Sequence, residues 1–210
     1  MIDAAELTAF KEALGLGEMP LAAFATDSRP EDGICAEKAH CILSVLHRAR
    51  RKHTPAYFYR GQEFCPGGQL YINVVDEIPG LIPAYVSTGL EGAFEGERYC
   101  RSPEIVMGFL KAVKLDPDPR MYRVFKPIDL LAPGEEPEII IFFETPDVLS
   151  GLYTLVQYTT GALNSVAAPW GSGCSGIYAW VRRFELDGAP KAVLAGFDVS
   201  ARPFMGRAEL

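Results

Sequence analysis

Apolar residues recur along this chain at two spacings, and each spacing predicts its element. Asp3 opens a helix to about Leu14, with Leu7, Phe10, Ala13 and Leu14 on the inner face and Gly15 as the stop. Leu21 to Thr26 reads as a short strand, and Asp27 to Gly33 as a turn-rich loop. From about Glu37 to Lys52, Cys41, Ile42, Val45, Leu46 and Ala49 return at helical spacing, which puts Cys41 on the buried stripe near the helix start. Ala56 to Tyr59 is a strand that ends in the Cys65 loop, and Leu70 to Val75 fits a strand or the helix after that loop equally well. Asp76 to Arg101 is irregular, broken by Pro79, Pro83, Gly89, Gly92 and Gly96, with residues 87–92 as a surface loop or lid.

The second half repeats the alternation. Ser102 caps, and Pro103 opens, a helix to about Lys114. Tyr122 to Pro127 is a strand. Ile139 to Phe143 is unbroken apolar sequence, so Glu138 to Phe143 predicts a strand covered on both faces. Thr145-Pro146-Asp147 starts a helix to about Thr160, and Val166 to Pro169 is a further strand. That order predicts a βαβ unit from Glu138 to Pro169, with the Gly-rich turn that follows it at the carboxyl edge of the sheet. Ile177 to Phe184 and Ala192 to Phe197 read as β-rich. The fold class is therefore α/β (or α+β): a mixed sheet with helices packed on it, one domain, and long Gly/Pro-rich loops. No repeat or low-complexity tract interrupts it.

Composition narrows the chemistry. The 20 basic and 27 acidic residues leave a net charge of −7, and the only basic run is His47 to His53. That run fits the last turn of a helix, where cations meet the negative end of the dipole, so nucleic acid is not an expected partner. No apolar stretch approaches the ~20 residues of a membrane span, and the acidic, amphipathic N-terminus has no secretory pattern. Five cysteines, an odd number, then predict reduced thiols in a cytoplasm. The Walker loop, the Gly-x-Gly-x-x-Gly turn and the His-Glu-x-x-His helix are all missing from the sequence.

The thiols are the candidate chemistry. Cys65 lies in Cys65-Pro66-Gly67-Gly68 and Cys174 in Gly171-Ser172-Gly173-Cys174-Ser175-Gly176. In such turns bare backbone N–H groups approach a ligand, and a nearby thiol gains thiolate character. The competing reading is that a buried cysteine is only a small hydrophobe. Three site expectations follow. Cys41, Cys65 and Cys174 hold an iron–sulfur cluster or zinc, with Cys35 or His40 as fourth ligand. Alternatively, Gly67, Gly68, Gly171 and Gly173 supply N–H donors to a small anion, with Arg98 or Arg202 as countercharge and Trp170 as a wall. The third is a thiol enzyme with Cys65 or Cys174 as nucleophile, whose base would come from His40, His47 or His53. In the first two readings Cys65 and Cys174 share a cleft walled by Phe64, Trp170 and Tyr178.

Seven motifs in this order resemble one family. They are Gly33-Ile34-Cys35, Cys41-Ile42-Leu43, Cys65-Pro66-Gly67-Gly68, Gly96-Glu97-Arg98-Tyr99, Val124-Phe125-Lys126-Pro127, Gly171-Ser172-Gly173-Cys174 and the run from Phe197 to Phe204. The family is DUF 169, or ArCR, found in bacteria and archaea and without an established activity. The resemblance covers nearly the whole chain and implies family cysteines at Cys41, Cys65 and Cys174. It also implies members that run longer at the C-terminus. Substrate and oligomeric state stay open.

Overall fold

In a computed structural model, the structure describes residues 4–37 and 41–196. The chain runs α1 (Ala4–Leu14), β1 (Leu21–Thr26), β2 (Ile34–Cys35), α2 (Ile42–Lys52), β3 (Ala56–Tyr59), α3 (Pro66–Tyr71), α4 (Ile82–Val86), β4 (Gly89–Leu90) and β5 (Phe94–Glu95). It continues with α5 (Pro103–Val113), β6 (Tyr122–Pro127), β7 (Ile139–Ile141), α6 (Pro146–Leu155) and β8 (Val166–Ala167). A π-helical turn, Ser175–Ala179, then leads directly into α7 (Trp180–Leu186), before β9 (Ala192–Val193).

Five strands make a mixed sheet in the order β2-β3-β6-β1-β7; β2 runs parallel to β3, and the other neighbours are antiparallel. Side chains alternate across it. Leu21, Ala23, Ala56, Phe58, Phe125, Ile139 and Ile141 point to one face and form the main core with the α2 stripe and Tyr178. The opposite face carries Ala22 under Leu7 of α1, and a small cluster of Phe24, Tyr57 and Val124. The helical spacing of α2 buries Ile42, Leu43, Val45, Leu46 and Ala49, each aliphatic side chain contributing roughly 1.5–3 kcal/mol. The helix stops where His53 turns left-handed, its N–H bonding the Arg50 carbonyl at 3.1 Å. A second core holds Leu70, Tyr71, Val106, Leu110, Val113 and Ala179, joining α3, α5 and the π turn.

One charged side chain ties these parts together. Arg123 on β6 is 0% exposed and donates to the carbonyls of Ile72 (3.0 Å), Asn73 (2.7 Å) and Arg120 (2.9 Å). Asp118 lies 3.4 Å away. A buried guanidinium is tolerated because its donors are met, and here they hold the end of α3 against the sheet.

Several expectations change. The Glu138–Phe143 run is not a doubly covered strand: β7 is an edge, and Ile140 is 44% exposed. The βαβ unit does not form either, because β7 belongs to the five-stranded sheet whereas β8 pairs with β9 in a separate two-stranded one. Ile177 to Phe184 is helical, not β-rich. Its aromatic and β-branched composition suggests a strand, but Ile177, Trp180, Val181 and Phe184 keep helical spacing, and that period wins. Residues 87–92 contain β4, which pairs with β5 in a hairpin. Leu70 ends up in α3, and α6 stops at Leu155, short of Thr160. On α1, Phe10 is exposed, though its ring reaches Phe142 at 6.4 Å. The Asp3 cap, His40, Arg202 and Phe197 lie outside the described residues.

Candidate functional site

Cys41 and Cys65 are each the residue immediately before the first helical residue, of α2 and α3 respectively, whereas Cys174 is already in helical conformation, after Gly173, in the run that the π turn continues. Cys41 is thus half-buried at a helix start and not on the buried stripe. Neither helix start has a side-chain cap, so the leading N–H groups turn elsewhere for partners. All three cysteines pack against the main core.

The starts of α2 and α3 adjoin. A β-carbon on Gly68 would lie 2.7 Å from Ile42 Cδ1 and 3.4 Å from the Phe64 ring, so glycine at 68 lets the first residue of α2 pack onto α3. Gly68 is therefore closed by the protein's own side chain and is not an open cradle, while Gly67 is half-buried with only Tyr71 nearby, at 3.7 Å. Gly171 has a φ of +153°, and a β-carbon there would meet Ser175 and the Phe109 ring. Only glycine fits that bend. Gly173 is buried. In the same turn Ser172 Oγ and Cys174 Sγ are 3.1 Å apart, and the Ser175 hydroxyl donates to the Ser172 carbonyl at 2.7 Å.

The irregular middle segment folds back on α4. Backbone hydrogen bonds run from Glu97 to Tyr85, Arg98 to Ser87 and Tyr99 to Val86, at 2.7, 2.8 and 3.0 Å. Tyr85 donates to Glu97 Oε1 at 2.7 Å. That bond, with burial and the carboxylate charge behind it, pushes the Tyr85 hydroxyl up to about 12, and the Cys65 sulfur lies close enough to add to the effect. Arg98 is 71% exposed in a left-handed conformation, 3.9 Å from Glu95. It borders an open concavity of about 530 Å³ lined by residues 88–95 of the hairpin. Sequence reasoning picks out Arg98 but passes over Tyr85 and Glu97. The signal was the Gly89, Gly92, Gly96 spacing, which folds a hairpin back onto α4.

The expected aromatic cleft is not built as drawn. Phe64 is buried against Phe58 at 5.1 Å, and Tyr178 against Phe125 at 6.2 Å. Burial, the largest influence, holds the Tyr178 hydroxyl up at about 12. Trp170 alone of the three is exposed, edge-on to Phe109 at 4.7 Å. Cys35 packs on the other face of the sheet, with Phe24, Tyr57 and Val124, and accepts from Gln62 at 3.1 Å. The sheet therefore separates it from the other three thiols. Among the described residues no group of three His, Cys, Asp or Glu side chains is placed to hold a metal ion. His53 bonds Asp129 at 2.9 Å from the far end of α2, about 18 Å along the axis from Cys41.

Against known families, one comparison is decisive: the model for DUF169, described as uncharacterised ArCR, matches residues 9–210. The chain belongs to the DUF169 family. No curated protein and no solved structure matches it. The DUF169 match takes in both cores and every cysteine, so the site described above lies wholly within the family's span. Among the described residues of this DUF169 chain, no helix is long and apolar enough to cross a membrane.

Proposed function

We propose that this DUF169 chain binds a small anionic ligand at the thiol-lined end where α2 and α3 begin. The observation that carries the reading is the juxtaposition of those two starts, with Cys41 and Cys65 preceding them and Ile42 seated on Gly68. Helix starts favour negative charge through their unpaired N–H groups and dipoles. Arg98, exposed on the 97–99 segment that bonds back to α4, is the cation this reading takes as countercharge. Further support comes from the π turn after Cys174, a rare conformation concentrated at functional sites. The chemistry is recognition: N–H groups and a guanidinium meet the charge, and the thiols give a soft, partly apolar lining.

Thermal shift on the intact chain tests this. Orthophosphate, nucleotides and short carboxylates are the probes. A true ligand near 100 Kd raises Tm by about 5–10 °C in a protein of this size. Arg98→Ala and Cys65→Ser reduce the shift. A flat panel contradicts the reading.

The second reading is a resident iron–sulfur or zinc centre, favoured by three thiols on one core. As placed, the described donors do not fit it, because no three of them gather around one point. Anaerobic purification with metal analysis and a visible spectrum separates the two: a stoichiometric metal or a sulfur-to-iron absorption band establishes the centre instead.

A further inference from the structure

Residues 148–165 contain no Asp, Glu, Lys, Arg or His, although the chain as a whole is 22% charged. This uncharged segment includes most of α6, which buries none of its residues fully. Its inner side reaches α1, where a β-carbon on Gly151 would lie 3.8 Å from Leu14. The outer side carries Leu149, Tyr153 and Val156 at spacings of four and three, an apolar stripe along one helix face, and Leu155, Tyr158 and Leu163 are further exposed apolar residues of the same uncharged segment. Tyr153 is 56% exposed and Tyr158 82%. Together these six residues, hydroxyls and backbone included, leave on the order of 700 Å² in water, where a standard interface takes ~800 Å² from each partner. Patches of that size mark interaction sites.

We infer that this face is where two copies of the chain pack, α6 against α6, about a twofold axis near Tyr153. Charge selects the occupant. Two copies carrying −7 each repel over most of their surface, and this segment lets them meet without setting like charges together. An anionic membrane is a poor fit, since the segment has no basic residue to attract head groups. A ten-residue helix is also only about 15 Å long, half a bilayer. Tyr153 lies midway along the stripe, so an isologous twofold contact sets Leu149 of one copy against Val156 of the other.

Sedimentation equilibrium of the full chain across the micromolar range reads this directly. The expected mass is twice 23.0 kDa. Tyr153→Glu and Tyr153→Lys each weaken dimerisation by about 30-fold or more, and their Tm equals that of the wild type measured at concentrations where it too is monomeric. An equal mixture of the two variants restores a dimer, because the axis brings opposite charges together; misfolding could not produce that recovery. A wild-type mass of 23.0 kDa throughout overturns the inference. So does a Tyr153→Glu chain that stays dimeric, a mixture that stays monomeric, or wild-type chain that binds neutral phosphatidylcholine vesicles as a monomer.

Discussion

The five-stranded sheet with α2 and the segment from Pro146 to Ala195 are built by opposite rules. In the sheet, strands as short as β3 are held on both faces: Ala56 and Phe58 enter the main core, and Tyr57 enters the cluster behind it. In the later segment α6 buries none of its residues fully, and β8 and β9 form a two-residue ladder. The first region makes its own interior. The second lends that interior Ile177 and Tyr178 of the π turn, with Cys174, Val181 and Ala195 packed against it, while α6 presents apolar surface outward. The contrast means that substitutions in the two regions should register in different measurements, stability for one and association for the other.

The largest effect sharpens that contrast. Phe58 is fully buried and packs against Phe64 and Phe125 at 5.1 and 5.7 Å. Phe58→Ala should cost about 3–5 kcal/mol in chemical denaturation, whereas Tyr153→Ala on α6 should stay within ~0.5 kcal/mol. Comparable losses at both positions would break the division. Within the sheet, Ile139→Ala should cost about 2–4 kcal/mol and Ile140→Ala less than ~1 kcal/mol, since β7 is an edge with one wet face. Equal costs would mean that β7 is covered on both sides.

Gly68→Ala probes the junction of the two helix starts. In a free helix that change is favourable by ~1 kcal/mol. Here the new methyl meets Ile42 at 2.7 Å, and Ile42 is itself buried. A net loss of about 1–3 kcal/mol is expected from overpacking. A stabilised variant would show that the two starts do not press together.

Smaller still is an alkaline signature. Tyr85 and Tyr178 are both raised to about 12, from an ordinary value near 10. A raised folded value means that the folded state favours the neutral phenol. The associated stability is complete below pH ~10 and is lost as pH climbs toward ~12. Ultraviolet titration of the nine tyrosines should show these two ionising late. Glu97→Gln should then bring Tyr85 down and leave Tyr178 where it is.

How much of this was legible depended on whether period and composition agreed. At β1, β3 and β6 they agree, and the elements fall where the pattern puts them; α2 ends at Lys52 as expected but starts at Ile42, not near Glu37. At Ile177 to Phe184 they conflict: strand-forming residues stand at helical spacing, and tertiary packing follows the spacing. At Ile139 to Phe143 an apolar run suggested a covered strand, but its exposed member faces outward at an edge, a fact set by sheet order, which local sequence does not encode. The site shows the same division. The Gly-rich sequence marked Cys65 and Cys174 as lying at bends, but not that helices follow: Cys65 precedes α3, and Cys174 lies in the helical run leading into the π turn. Yet Gly68 and Gly171 serve close packing by Ile42 and Phe109, and no spacing distinguishes that from a ligand cradle. Cys35 was one candidate for a fourth ligand, and strand alternation sends it to the opposite face.

The claim that the thiol-lined end receives a ligand can be tested most directly by timing the cysteines. Alkylation of the intact chain, followed by peptide mass spectrometry, gives a rate for each of the five thiols. The measurement is made with and without the anion that raises Tm most. The account predicts that Cys41 and Cys65 slow severalfold when that anion is present. Cys35, on the far face of the sheet, keeps its rate. Equal rates with and without the anion at every cysteine, or protection confined to Cys35, would contradict it.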